Sequence, residues 1–119
     1  MSNTFSFGTV AFFGDSLTDD GNLFELTGSV ATVNVPPEEA GYNQRFTNGL
    51  VFAEYTTELL GVANSLNFGI GGAQTLGALT LRELALSEGG EDFLTVPIDD
   101  PLLDFDINLT AQIARYLAQ

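Results

Sequence analysis

The chain has 119 residues, 45% of them apolar, which predicts one globular domain with a modest core rather than a disordered chain. Its net charge of −13 comes from sixteen acids against three arginines, with no lysine and no histidine. Such a charge repels phosphate backbones and excludes nucleic acid as a partner. The absence of cysteine excludes disulfides, thiolate catalysis and thiolate metal sites.

Neither a signal peptide nor a membrane span is visible in the sequence. The first twenty residues lack a basic segment followed by a long apolar one, and no apolar run reaches the roughly 18 residues that cross a bilayer. An acidic chain without cysteine is compatible with export and with the cytoplasm, so the sequence does not assign a compartment.

The first predicted element is a strand over residues 9–13, an unbroken apolar run of the kind that is buried on both faces in a parallel sheet. Gly14 ends this strand. Ser16 and the acids after it have the character of a helix start. Residues 27–43 are predicted to form a loop, because two consecutive prolines bar regular structure there.

A second helix is predicted after Asn48, which can cap it, and its end is placed at Gly61, the residue type preferred at helix C-termini. Three apolar residues recur within it at helical spacing: Phe52, Tyr55 and Leu59. A short second strand is predicted over 65–68. It ends in the glycine-rich stretch "GIGGA" at 69–73.

The remaining third of the chain is predicted to be mainly helical. Residues 76–86 favour a helix over a strand, and 89–104 form an exposed loop with two prolines and five acids. The last element, 109–118, is predicted as an amphipathic helix with one apolar stripe made of Leu109, Ile113, Tyr116 and Leu117.

Alternating strands and helices predict an α/β layer fold with parallel strands. Two strands are few, since sheets usually contain about four to six. The last helix also reaches the final residue without a C-cap. We therefore expect the chain to be the opening part of a larger domain.

Two loops carry the chemistry expected of an active site. In open α/β sheets, reactive groups gather outside the carboxyl ends of the strands, where "GDSLTDDGN" (14–22) and "NFGIGGAQT" (67–75) both fall. Free N–H groups near Ser16 suit the oxyanion that forms when a hydroxyl attacks an ester carbonyl. An N-cap serine in a loose capping box, "SLTD", and an ordinary tight turn explain the same residues without catalysis.

Three motifs in order resemble the GDSL, or SGNH, esterases and lipases. "FFGDSLTDDGN" (12–22) resembles their first block, "RFTNG" (45–49) an Arg-Phe-Ser-Asn-Gly element, and "LNFGIGGAQT" (66–75) their second block. The first motif is most similar to the bacterial subgroup with "GDSLSDTGN", which includes thermolabile-haemolysin-like and autotransporter lipases.

The resemblance implies a three-layer α/β/α sandwich that needs no metal and no organic cofactor. It implies that Ser16 is the nucleophile and contributes its own N–H to the oxyanion hole. Gly72 is the expected second donor, with Gly71 as the neighbouring alternative. The residues implied to support the motif are Gly14, Asp15, Asp19 and Asn22.

The sequence also departs from the family pattern. It lacks the third block, Gly-x-Asn-Asp, whose asparagine completes the oxyanion hole. The last block, Asp-x-x-His, has its nearest match in "DINL" (106–109), with leucine in place of histidine. Loss of the base costs a serine hydrolase about a millionfold in turnover. We therefore expect residues 1–119 to be a truncated ester hydrolase, inactive alone and acting on a lipid or an acylated small molecule or glycan. A separately encoded C-terminal half would complete it.

Other functions stay open as alternatives. The first is a non-catalytic remnant that binds acyl or glycan groups in the same cleft. Phosphoryl transfer on Asp15 conflicts with Leu17, where that chemistry needs a second aspartate. A calcium loop over 16–27 lacks both key acids, and a dinucleotide motif meets Gln74 in place of its third glycine. Two acidic pairs are interpreted as solvated loop charges, with weak calcium binding as the alternative: Glu91–Asp92 and Asp99–Asp100.

Overall fold

The computed structural model describes residues 7–88 and 90–119. Residues 1–6, part of the segment tested for a signal peptide, and Gly89, the first residue of a predicted loop, lie outside the described residues. The elements in chain order are β1 (Thr9–Phe12), α1 (Asn22–Val30), α2 (Phe52–Leu60), β2 (Asn64–Asn67), α3 (Leu81–Glu88) and α4 (Leu109–Leu117). Short 3-10 helices occupy Glu38–Ala40, Glu91–Phe93 and Pro101–Asp104. In this described part, no helix combines the length and the apolar character that a membrane crossing requires.

The two strands form a parallel sheet, as predicted. Their register sets Phe12 opposite Asn67. The pairing continues beyond both strands, where the Ile70 N–H donates to the Gly14 carbonyl at 3.0 Å. Because parallel strands end at the same edge, the loops after β1 and β2 lie side by side.

The first strand is less buried than its apolar sequence predicts. Only Phe12 is buried, while Val10 and Ala11 are half-buried and Thr9 is exposed. The prediction of a strand covered on both faces is therefore wrong. The sheet has two strands in the described part of the chain, so much of each strand still meets solvent. A long apolar run shows that a strand can be buried, but it does not show which other elements cover the two faces of that strand.

The first helix begins at Asn22, so the prediction of a helix start at Ser16 is wrong, and so is the N-cap interpretation of the serine. Residues 15–18 form a hydrogen-bonded turn instead. Gly21, with a φ of 144°, takes a backbone conformation that side chains disfavour and separates this turn from the helix. The helix then continues to Val30, into the segment predicted as a loop.

The second helix begins later than predicted but ends as predicted. Val51, rather than Asn48, is the N-cap, and its N–H donates to the Glu54 carboxylate at 3.0 Å. Gly61 closes the helix in the left-handed conformation, with a φ of 64°. The three apolar residues at helical spacing are exposed: Phe52, Tyr55 and Leu59.

The main core lies away from the sheet and draws on the segment predicted to be an exposed loop. Its buried residues are Leu23, Val30, Ile70, Leu81, Leu103 and Ile107. Leu103 is fully buried, so the prediction that 89–104 is simply an exposed loop is wrong. In that segment, prolines and acids alternate with apolar residues that enter the core. The free energy gained by burying the apolar residues outweighs the preference of the neighbouring acids for solvent.

The last helix, α4, is confirmed at nearly its predicted length. Its predicted apolar stripe does not enter the core, because Ile113, Tyr116 and Leu117 are exposed. The buried residue of this helix is Gln112.

Candidate active site

Ser16 lies just beyond the carboxyl end of β1, half-buried in the turn of residues 15–18. The Asp15 carbonyl accepts from the N–H groups of Thr18 and Asp19, both at 3.0 Å. The Asp15 carboxylate accepts from the Leu17 N–H at 3.1 Å. Within the described residues, neither the N–H nor the hydroxyl of Ser16 has a hydrogen-bond partner. Both groups are therefore available to a ligand.

Asp19 joins the two glycine-rich loops. Its carboxylate is fully buried and accepts four backbone N–H groups. One oxygen accepts from Gly21 at 2.8 Å and Asn22 at 2.6 Å. The other accepts from Leu23 at 3.1 Å and from Gly71 at 2.7 Å. The first three contacts use the free N–H groups at the start of α1, where negative charge is stabilised. The fourth fixes the second loop to the first.

Two asparagines reinforce this junction. The Asn22 side chain donates to the carbonyls of Asn67 and Gly69, each at 2.8 Å. The Asn67 side chain donates to the Thr18 carbonyl at 2.8 Å and accepts from the Gly69 N–H at 2.9 Å. Asn22 was expected to support the motif, whereas Asn67 was missed, because the sequence places it in a strand without showing which loop it faces.

The two glycines considered as oxyanion donors differ in what their N–H groups do. The Gly71 N–H is occupied by Asp19. A Cβ on Gly71 would lie 2.5 Å from the Phe46 ring, so any larger residue would have to displace that ring. Gly72 is exposed and has a φ of 90°, and no partner for its N–H occurs among residues 7–88 and 90–119. Of the two, Gly72 has the N–H that a substrate could use.

Gly14 is held by a residue that the sequence analysis missed. Its N–H donates to the Gln112 side-chain oxygen at 2.8 Å, and its carbonyl accepts from the Gln112 side-chain nitrogen at 2.8 Å. The same nitrogen donates to the Ile107 carbonyl at 2.9 Å, and Gln112 is fully buried. A Cβ on Gly14 would lie 2.4 Å from the Thr18 hydroxyl. Hydropathy assigns a glutamine to the solvent face of a helix, and no local signal predicts this contact across 98 positions.

Asn108 holds the far end of the second loop. It is fully buried, accepts from the Gln74 N–H at 2.8 Å, and donates to the carbonyls of Leu76 and Gly77 at 3.1 and 3.2 Å. The Asp106 carboxylate accepts from the Asn108 N–H at 2.9 Å. The "DINL" segment, the nearest formal match to the family's last block, therefore has structural contacts here.

The "RFTNG" segment is anchored to α2 by an ion pair. The Arg45 guanidinium contacts both carboxylate oxygens of Glu54, each at 2.6 Å. The hydrogen bonds from Arg45 are the main cause that lowers the pKa of Glu54. The pair fixes the neighbouring residue, Phe46, against Gly71. The motif thus supports the second loop from outside the sheet.

Asp20, between the serine turn and α1, has a raised pKa, in contrast to the lowered pKa of Glu54. Burial is the main cause that raises its pKa, followed by the negative charges of Glu54 and Asp19.

In the described part of the chain, no three side chains of histidine, aspartate or glutamate come together in a way that could hold a metal ion. Among the residues that the structure describes, the site therefore consists of a hydroxyl and two amide groups without partners, held by a hydrogen-bonded frame.

Comparison with known proteins places this frame in a family. The sequence model of the family described as GDSL-like Lipase/Acylhydrolase matches residues 10–117. A search of curated proteins gave no match. The matched range extends well beyond the glycine-rich loops and reaches the end of α4, the helix that supplies Gln112. The chain belongs to the GDSL-like lipase/acylhydrolase family, whose members hydrolyse esters.

Proposed function

We propose that Ser16 is the nucleophile of an ester hydrolase and that the N–H groups of Ser16 and Gly72 stabilise the oxyanion. The observation that carries this proposal is that these two N–H groups are unpaired within the described residues and lie in loops that follow parallel strands at the same edge of the sheet. Gly71 is not proposed as the second donor, because Asp19 occupies its N–H.

The proposed reaction is acyl transfer through Ser16. The serine oxygen forms a bond to the acyl carbon, and the carbonyl electron pair moves onto its oxygen, which the two amide groups stabilise. One such donor contributes roughly 3 kcal/mol in the transition state. Collapse of this intermediate breaks the bond to the leaving alkoxide, which takes a proton. Water then hydrolyses the acyl-serine by the same steps and releases the acid.

A base must accept the serine proton, and the sequence contains neither histidine nor lysine. We propose that residues outside these 119 supply the base and the third oxyanion donor. On this proposal the chain is the nucleophile-bearing part of a three-layer α/β/α domain of the "GDSLSDTGN" subgroup. The support is the parallel pair of strands and the "GDSLTDDGN" sequence at its edge.

The test co-expresses the chain with the polypeptide encoded directly downstream and measures hydrolysis of p-nitrophenyl butyrate. We expect Ser16→Ala to reduce the rate by at least a thousandfold. The matched control Ser29→Ala, at an exposed position of α1, should leave the rate unchanged. A rate within twofold of the parent for Ser16→Ala would refute the nucleophile. Full activity of the 119 residues alone, or no activity with any downstream segment, would refute the externally supplied base.

A further inference from the structure

Arg115, on α4, has no carboxylate partner among the described residues, whereas Arg45 and Arg82 each form an ion pair with an acid. Its guanidinium lies over the Phe105 ring, with the central carbon 4.1 Å from the ring centre. The Nη2 atom is buried and makes no hydrogen bond within the described part of the chain. Because buried polar groups are costly to leave unpaired, this guanidinium needs an acceptor that residues 7–88 and 90–119 do not supply.

Asp106 is the acid whose negative charge reaches Arg115. Burial is the main cause that lowers the pKa of Arg115, and the charge of Asp106 opposes this shift. One Asp106 carboxylate oxygen, however, accepts from the N–H groups of Leu79 and Asn108, at 3.1 and 2.9 Å. Asp106 therefore holds the chain before α4 and forms no ion pair with the guanidinium within the described residues.

Arg115 lines a cavity of about 470 Å³ between α1, α4 and the end of β2. The volume lies within the ~300–1,000 Å³ that is typical of small-molecule sites. Phe68 and Phe105 are among its apolar walls, and Arg115 is the one cation among the described residues that surround it. Neither Ser16 nor Gly72 lines this cavity, so it is separate from the groups proposed to perform the chemistry.

We propose that this cavity binds a small monoanionic carboxylate with an apolar body, its carboxylate paired with Arg115 and its body against Phe68 and Phe105. A guanidinium donates to a carboxylate through a planar fork, and such a charged pair is stronger than a neutral hydrogen bond. An uncharged ligand would leave Arg115 unpaired. Glu25, an exposed acid of the lining, makes a dianion such as phosphate a poor ligand, because like charges repel. This inference does not depend on the proposed function.

The probe is 3-phenylpropionate, and its matched control is 3-phenylpropanamide, which has nearly the same shape but no charge. Binding to the 119-residue chain at neutral pH is measured by calorimetry and by NMR of the Arg115 Nε–H and the Phe68 and Ile70 amide groups. We expect the acid to bind about tenfold more tightly than the amide, although the net charge of −13 repels anions in general. Equal affinities, or an Arg115 signal that does not shift, would show that water alone satisfies the guanidinium and would overturn the proposal. Tighter binding of inorganic phosphate would overturn the carboxylate class.

Three variants locate the contact. Arg115→Gln should weaken 3-phenylpropionate about tenfold. Gln119→Glu, at an exposed position just beyond α4, changes the net charge by the same amount and should leave the affinity in place. Glu25→Gln should strengthen binding about twofold, because it removes a like charge from the lining. This exposed substitution also tests the site if Arg115→Gln fails to fold. Equal losses for Arg115→Gln and Gln119→Glu, or an affinity that does not rise in Glu25→Gln, would contradict the proposed contact.

Discussion

The contact between Gln112 and Gly14 gives the sharpest test of how the site is held. Gln112→Leu preserves the approximate volume of the side chain but removes three hydrogen bonds. The carbonyl of Ile107 and the N–H of Gly14 lose their partner, whereas the Gly14 carbonyl keeps its bond from the Ile70 N–H. Each buried polar group left unpaired costs about 1–3 kcal/mol. Gly14 is half-buried, so water can recover part of its share.

The expected cost follows from these contacts. About 1 kcal/mol for the Gly14 N–H and about 2 for the Ile107 carbonyl sum to roughly 3 kcal/mol. The greater apolarity of leucine returns about 1–2 kcal/mol on burial. The free energy of unfolding should therefore fall by about 1–2 kcal/mol, out of the roughly 6–18 kcal/mol expected for a domain of this size.

The assay is urea unfolding followed by far-ultraviolet circular dichroism, since the chain has no tryptophan. A loss of this size shifts the midpoint by on the order of 1 M urea. Gln119→Leu, at an exposed position, is the matched control and should leave the midpoint in place. Hydrogen exchange at the Gly14 amide, which donates to Gln112, should accelerate in the Gln112 variant alone. Equal midpoints for the two variants would show that Gln112 does not hold α4 on the serine turn.

Three further predictions test the frame around the site. Gly71→Ala places a Cβ 2.5 Å from the Phe46 ring and should cost about 1–3 kcal/mol in urea unfolding, whereas Gly49→Ala, with open space, should not. Asp20→Asn should raise stability at pH 7, because burial raises the pKa of Asp20 and disfavours its charged form in the folded protein. Thermal unfolding should show this gain disappearing below the ordinary aspartate pKa; a gain that persists there would contradict the electrostatic cause. Glu54→Gln should destabilise by about 1 kcal/mol at pH 7, and this loss should vanish as the pH falls through the lowered pKa of Glu54. A loss independent of pH would assign it to packing instead.

Predictions from local pattern succeeded where the physical cause is itself local. Gly61 ends α2 because a left-handed residue must close that helix, and glycine adopts this conformation at little cost. The prediction of where α1 starts was wrong because its cause is not local. Ser16 and Asp19 both resemble capping residues, and the choice between them depends on the glycine at 21 and on a contact to Gly71.

The buried polar residues were beyond sequence reasoning. Gln112 and Asn108 are fully buried, and all but one of the backbone groups that their side chains satisfy come from segments about 30 to 100 positions away in the chain. Conversely, the stripe with Ile113 and Leu117 on the same helix stays exposed. A hydropathy scale gives the free energy of burying each residue by itself. It does not include the hydrogen bonds to remote segments that stabilise a buried polar side chain.

The sequence by itself determined the family, the parallel order of the strands and the position of the serine at a strand end, because these depend on motifs and periodicity within short windows. The tertiary structure alone decided which glycine N–H has no partner among the described residues, which polar side chains are buried and where the cavity beside Arg115 opens. Each of these depends on which distant backbone groups meet at the edge of the sheet. Only the folded chain brings those groups within hydrogen-bonding distance.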